Sequence, residues 1–132
     1  MAKLRLAPDE VVIHRTAAAY LRSRFRLVPG EALVTQRRFL HVGNLRATAA
    51  AGLVGALAGG RVDIDVPLRA VAALGRARHG RGLAWTLATV GGEEYRLLGD
   101  LDGWRPAFDT ALAGAGCRLV ERQAGTWAVE PA

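Results

Sequence analysis

The stretch that decides the fold of this protein is GEALVTQRRFLHV, residues 30–42. Two short apolar runs flank a polar step at 35–37: one at 32–34, the other made of Phe39, Leu40 and Val42. Because β-branched and aromatic residues favour strands, two such runs around a short polar step are typical of a β-hairpin. The stretch therefore predicts a hairpin that turns at 35–37 and buries Phe39 in the core.

The segment before this hairpin predicts extended structure. Residues 11–21 are interpreted as one long strand that bends near its alanines, because β-branched residues open an apolar run, although residues 17–19 also tolerate a helix. In residues 21–27, strict alternation places three arginines on one strand face and turns Phe25 towards the core. Side chains on one strand face repeat about every 7 Å, a spacing that suits successive phosphates or an acidic partner. The row consists of Arg22, Arg24 and Arg26.

Residues 47–60 carry no charged side chain. As a helix they would span only about 21 Å, which is short of the roughly 30 Å hydrocarbon core of a membrane. A helical wheel separates a glycine face from an aliphatic face. Three interpretations stay open: a cap on one end of the fold, a self-association face, or an element that dips into a membrane surface. The residues assigned to self-association or membrane contact are Gly52, Gly55, Gly59, Leu53 and Leu57.

The middle of the chain predicts a strand followed by a basic loop. Residues 62–66 alternate between apolar side chains and two aspartates, which indicates a half-buried strand with Asp63 and Asp65 on its solvated face. The stretch 75–82 (GRARHGRG) is interpreted as a basic, glycine-rich turn. Its arginines form a second candidate site for an anion or a partner: Arg76, Arg78 and Arg81.

The last third of the chain predicts a helix and a hairpin. Asp102 is a candidate N-cap, and Pro106 fits the first helical turn. Residues 118–130 contain two apolar runs around a turn and are interpreted as an added hairpin. The predicted helix has one apolar stripe, made of Trp104, Phe108, Ala111 and Leu112.

Several of these motifs resemble GRAM and bacterial PH-like domains. The hairpin resembles the family's second and third strands, although Gln36 stands where asparagine or aspartate is usual. Val66, Pro67, Leu68 and Val71 are similar to its Ile-Pro-Leu-x-x-Ile step, and residues 89–95, Trp104 and Leu112 are similar to its late strand and closing helix. The resemblance covers residues 6–113. It implies a mainly β fold with a C-terminal α-helix: a PH-like split barrel of about seven antiparallel strands, extended here by a C-terminal hairpin. We expect a domain over residues 1–116 and an extension over 117–132 that packs on it.

No motif indicates catalysis. The chain has no GxSxG, Walker or GxGxxG motif, and its three histidines lack the spacing of metal ligands. We therefore predict no enzyme activity, no catalytic residue, no metal and no cofactor. The lone Cys117 suits a reducing cytoplasm, and residues 1–10 lack the apolar run of a signal peptide. The predicted location is cytoplasmic, or peripheral at the inner face of the membrane.

The net charge of +6 favours an anionic partner. Nucleic acid is disfavoured because few aromatic residues accompany the arginines. The leading hypothesis is a protein-interaction or assembly module that binds a protein partner or itself. The alternative is peripheral binding to anionic phospholipid through the basic patches, without a transmembrane segment.

Overall fold

The computed structural model describes residues 5–43 and 61–132, which form two antiparallel sheets and one α-helix. The helix, α1 (Arg105–Gly114), lies between the ninth and tenth strands. The strands are β1 (Val12–Ala17), β2 (Tyr20–Ser23), β3 (Arg26–Val28), β4 (Glu31–Thr35), β5 (Arg38–Gly43), β6 (Arg61–Pro67), β7 (Val71–His79), β8 (Gly82–Thr89), β9 (Glu94–Leu98), β10 (Cys117–Gln123) and β11 (Thr126–Pro131). The predicted mainly β class with a helix is confirmed, with eleven described strands where about seven and the two of a C-terminal hairpin were expected.

The smaller sheet has four strands and the larger sheet has seven. The smaller sheet has the order β1-β4-β5-β6, and the larger has the order β10-β11-β7-β8-β9-β2-β3. The predicted hairpin of residues 30–42 is confirmed as β4 and β5, which occupy the centre of the smaller sheet. Gly30 is required there, because a Cβ atom at this position would lie 2.4 Å from the carbonyl oxygen of Val42.

The single long strand predicted for residues 11–21 is wrong. The chain leaves the smaller sheet after β1 and enters the larger sheet with β2. The N–H of Ala18 donates to the carbonyl of Gly30 at 3.0 Å, while the carbonyl of Ala19 accepts from the N–H of Leu98 at 2.9 Å. Ala18 therefore bonds to the residue before β4 of the smaller sheet, whereas Ala19 bonds to β9 of the larger sheet. Residues 18–19 form a crossover between the two sheets.

Aromatic side chains fill the space between the sheets. Phe39 is fully buried, as predicted, and its ring centroid lies 5.5 Å from that of Trp85 and 5.8 Å from those of Trp104 and Phe108. Such pairs add about 0.5 to 1.5 kcal/mol each beyond the burial of their surface. The β4–β5 hairpin is therefore anchored by its aromatic residue.

The predicted apolar stripe of α1 is confirmed as buried, and Pro106 lies in its first turn. The predicted N-cap at Asp102 is wrong. The carboxylate of Asp100 accepts from the N–H of Asp102 at 3.0 Å and caps a short 3₁₀ turn, Leu101–Gly103. The carboxylate of Asp102 instead binds Arg76, so the helix begins at Arg105 without a side-chain cap.

One predicted turn is shorter than expected, and one predicted hairpin is confirmed. The basic turn predicted for residues 75–82 is mostly strand, because β7 and β8 pair as far as His79 and Gly82 and leave only Gly80 and Arg81 to turn. Gly80 has φ +58°, a left-handed conformation that glycine adopts without steric cost. The predicted C-terminal hairpin is confirmed as β10 and β11, and β11 pairs with β7, so the hairpin extends the larger sheet.

Candidate binding surface

The β2–β3 hairpin is the most exposed apolar and basic feature of the described residues. β2 ends at Ser23 and pairs with Arg26 of β3, so Arg24 and Phe25 form the turn. The predicted single row of Arg22, Arg24 and Arg26 on one strand face is therefore wrong. The chain reverses at Arg24 and Phe25, so these residues belong to no strand. Arginines and other residues still alternate in the sequence, but this alternation no longer describes one strand face.

Phe25 does not face the core, which corrects a second expectation. Phe25 is 92% exposed, and Leu27 is 48% exposed. Arg24 and Arg26 flank the phenylalanine, and both are exposed. The hairpin surface, defined as residues 24–27, thus combines an apolar tip with two cationic side chains.

A cavity of about 330 Å³ lies beside the hairpin surface. Arg24, from the first predicted arginine group, lines this cavity together with His79, which lies in the predicted basic turn of residues 75–82. Arg96 and Glu94 of β9 were not predicted, although Arg96 is the register partner of Leu21 in β2. This hairpin cavity is lined by Leu21, Ser23, Arg24, His79, Glu94 and Arg96.

The hairpin cavity has more basic than acidic groups. The eight salt bridges of the described residues all lie elsewhere, so Arg24 and Arg96 form none with another described residue. Glu94 is the only carboxylate among the described lining residues. The arrangement can attract an anion, and Glu94 can accept a hydrogen bond from a hydroxyl or ammonium group on the same ligand.

The second predicted arginine group is not a single site. Arg76 donates to the carboxylate of Asp102 at 2.6 Å, and its guanidinium carbon lies 5.2 Å from the ring centroid of Trp127. The hydrogen bond to Asp102 and the nearby carboxylates raise the pKa of Arg76 despite some desolvation. Arg76 therefore fastens the C-terminal hairpin. Arg78 and Arg81 are exposed, and neither is a lining residue of the hairpin cavity.

A buried ion pair at the end of the β4–β5 hairpin was not predicted. Glu10 is 3% exposed, and its carboxylate accepts from the side chains of Arg38, at 2.9 and 3.1 Å, and Thr35, at 2.7 Å. The N–H of Ala7 also donates to Glu10, at 3.0 Å. Burial by itself would raise the pKa of Glu10, but these hydrogen bonds and the charge of Arg38 lower it. With every oxygen occupied, Glu10 has a structural role: it holds the N-terminal segment against the hairpin.

The prediction that Asp63 and Asp65 share a solvated acidic face is wrong, because the side chain of Asp63 is buried. The side chain of Asp63 is only 8% exposed, and it accepts from His41 at 3.0 Å and from Arg61 at 3.0 and 3.2 Å. Asp65 binds Arg38 at 2.9 Å. The two carboxylates thus have separate cationic partners, and they are not arranged as a catalytic pair.

The remaining predicted site residues lie outside the described part of the chain: Gly52, Gly55, Gly59, Leu53 and Leu57. Over residues 5–43 and 61–132, no cluster of three or more histidine, cysteine, aspartate or glutamate side chains could hold a metal ion. Within the same ranges, no helix is long and apolar enough to cross a membrane. Cys117 is half-buried.

The sequence matches no protein-family model, and no curated protein is significantly similar to it. The resemblance of residues 6–113 to GRAM and bacterial PH-like domains therefore stays a prediction. A function for this protein is therefore inferred from the hairpin surface and the hairpin cavity.

Proposed function

We propose that this protein is a non-enzymatic, PH/GRAM-like binding module that attaches reversibly to anionic membrane surfaces through the β2–β3 hairpin. One observation carries the proposal: Phe25 is 92% exposed between two exposed arginines. It lies next to a cavity with two arginines that form no salt bridge with another described residue. An apolar tip can enter the headgroup region while the cations contact lipid phosphates. The attachment is peripheral, and we place it at the inner face of the membrane.

The expected affinity is modest. Each basic residue near an anionic surface contributes about 1 kcal/mol, so Arg24, Arg26 and Arg96 together supply about 3 kcal/mol. Partial burial of Phe25 adds roughly 2 kcal/mol. A total on the order of 5 kcal/mol corresponds to a dissociation constant of roughly 0.1 to 1 mM in accessible lipid. Binding of this strength is reversible and sensitive to salt.

Vesicle co-sedimentation tests the proposal. The protein should bind vesicles that contain phosphatidylglycerol, fail to bind pure phosphatidylcholine vesicles, and dissociate as salt increases. The double variant Arg24→Gln/Arg26→Gln should bind the anionic vesicles about 30-fold more weakly, because it loses about 2 kcal/mol. Phe25→Ser should also weaken binding without changing the salt dependence.

Matched controls come from other turns of the same chain. Val90 is 72% exposed in the β8–β9 turn, and Arg69 is exposed in the 3₁₀ turn after β6. The variants Val90→Ser and Arg69→Gln should bind like the parent protein. Equal recovery of the parent with neutral and anionic vesicles would overturn the proposal, as would equal losses in the hairpin and control variants.

A second candidate is the assembly function that was the leading hypothesis from the sequence. The glycine face that this hypothesis depends on lies outside the described residues, so the structure offers it less support than it offers membrane attachment. One observation favours it: β3 ends the larger sheet, with Leu27 48% exposed. An edge strand can pair with a second chain. If it does, light scattering should give a larger particle for the parent than for Leu27→Lys; a parent that is monomeric at high concentration excludes this candidate.

A further inference from the structure

A second cavity, of about 300 Å³, lies at the β8–β9 turn and differs in charge from the hairpin cavity. None of its described lining residues is an arginine, lysine or histidine, whereas two are carboxylates. Val90 stands at this turn and is 72% exposed. We call this the turn cavity; its apolar and acidic lining residues include Asp65, Pro67, Ala70, Val90, Glu93 and Tyr95. It therefore combines apolar surface with negative charge.

Both carboxylates of the turn cavity can accept a further hydrogen bond. Glu93 is exposed, and the hydroxyl of Thr89 donates to its Oε2. Glu93 forms no salt bridge with another described residue. Oδ2 of Asp65 accepts from Arg38 at 2.9 Å, but the Asp65 side chain remains 43% exposed, so Oδ1 can accept from another group. Guanidinium groups are well suited to pair with such carboxylate oxygens.

The hairpin surface has the complementary composition. Phe25 is 92% exposed between Arg24 and Arg26, and neither arginine forms a salt bridge with another described residue. A cavity of about 300 Å³ is at the small end of the range in which proteins hold ligands, and one phenyl ring is a small occupant. Buried aromatic side chains supply much of the strength of protein interfaces, while charged groups at the rim set orientation. The hairpin surface and the turn cavity therefore match in polarity and in charge.

These two features lie at the same end of a pair of strands. β2 pairs antiparallel with β9, so it runs towards the start of β9. The hairpin surface follows β2, and Glu93 directly precedes β9. Because Phe25 remains exposed within its own chain, a second copy must supply the cavity. Two chains related by a two-fold axis can then exchange their hairpin tips, which gives two copies of the contact in one closed dimer.

We propose that the hairpin surface of one chain enters the turn cavity of a second copy, and that the exchange is reciprocal in a two-fold dimer. Phe25 packs against the apolar lining, and Arg24 and Arg26 pair with Glu93 and Asp65. The dimer does not rest on the proposed function, but it uses the same tip, so a chain in the dimer cannot present Phe25 to a membrane. Vesicle binding is therefore measured at protein concentrations at which the chain is monomeric.

Sedimentation velocity in the absence of lipid tests the dimer. The parent should pass from monomer to dimer as its concentration rises. Phe25→Ser should raise the dissociation constant at least about tenfold, because a central aromatic residue is a typical hot spot of an interface. Val11→Ser is the matched control, since Val11 is 61% exposed and belongs to neither surface. This control should dimerise like the parent.

Charge reversal identifies the two surfaces that meet. Arg24→Glu/Arg26→Glu sets an acidic tip against the acidic cavity, and Glu93→Arg sets a basic residue against the basic tip. Each variant alone should therefore stay monomeric. An equimolar mixture of the two should form a dimer, because each contact then joins opposite charges. Asp109→Arg makes the same charge change as Glu93→Arg at an exposed position of α1, and it should dimerise like the parent.

Circular dichroism shows whether each variant is folded. A parent that stays monomeric at high concentration would overturn the proposal, as would a mixture of charge variants that fails to associate. Pairing through the β3 edge would not respond to Glu93→Arg, so a dimer of that variant would also overturn it. Particles that grow beyond a dimer would overturn the reciprocal exchange. A failure to bind vesicles would refute the proposed function alone.

Discussion

The β4–β5 and β2–β3 hairpins each place a phenylalanine next to arginines, yet Phe39 is fully buried and Phe25 is 92% exposed. β4 and β5 lie at the centre of the smaller sheet, with strands on both sides, and Phe39 meets three aromatic rings. β3 has three residues and ends the larger sheet. The comparison shows that position in the sheet, rather than local composition, decides whether an aromatic residue stabilises the fold or remains available to a partner.

The arginines of the two hairpins differ in the same way. Arg38 donates to Glu10, Asp65 and the carbonyl of Arg5. Arg26 forms no salt bridge with another described residue. A bound arginine strengthens the fold, whereas an exposed one adds to the field that attracts an anionic surface.

The largest difference is expected between the two phenylalanines. Phe39→Ala should lower the free energy of unfolding by roughly 3 to 5 kcal/mol, because it leaves a cavity among three rings. Phe25→Ala should change it by no more than about 0.5 kcal/mol. Urea denaturation of both variants measures the two values. Similar losses in the two variants would break the comparison.

The next largest effect is expected at Arg38. Arg38→Met keeps much of the side-chain volume but leaves the buried carboxylate of Glu10 without its counter-charge, which should cost about 3 kcal/mol. Arg26→Met is the matched control and should stay within about 0.5 kcal/mol of the parent. Denaturation curves at neutral pH decide the point, and a tolerated Arg38→Met would show that the Glu10–Arg38 pair does not stabilise the fold.

The smallest expected effect is on the stability of the fold at acidic pH. The pKa of Glu10 is lowered on folding from its usual value near 4.5, so its ionised form stabilises the fold above that value. This contribution is lost as pH falls through 4.5 towards the lower folded-state pKa. Glu10→Gln should therefore be less stable than the parent at neutral pH, with the difference narrowing below about pH 4.5. Thermal melts at several pH values test this, and a difference independent of pH would contradict it.

Part of the fold of this protein was determined by its sequence alone. The hairpin of residues 30–42, the buried stripe of α1 and the C-terminal hairpin were predictable, because each depends on the periodicity and turn residues of one short segment. Local patterns of this kind are set by side-chain alternation in strands and by the helical repeat. They do not depend on which other segments lie nearby.

Only the tertiary structure decided the candidate site and the buried charges. The crossover at residues 18–19, the exposure of Phe25 and the meeting of Arg24 with Arg96 depend on which strands pair. The Glu10–Arg38 and His41–Asp63 contacts join residues 28 and 22 positions apart. A charge becomes buried and gains a partner only when distant segments exclude water together, and no local pattern in the sequence records that event.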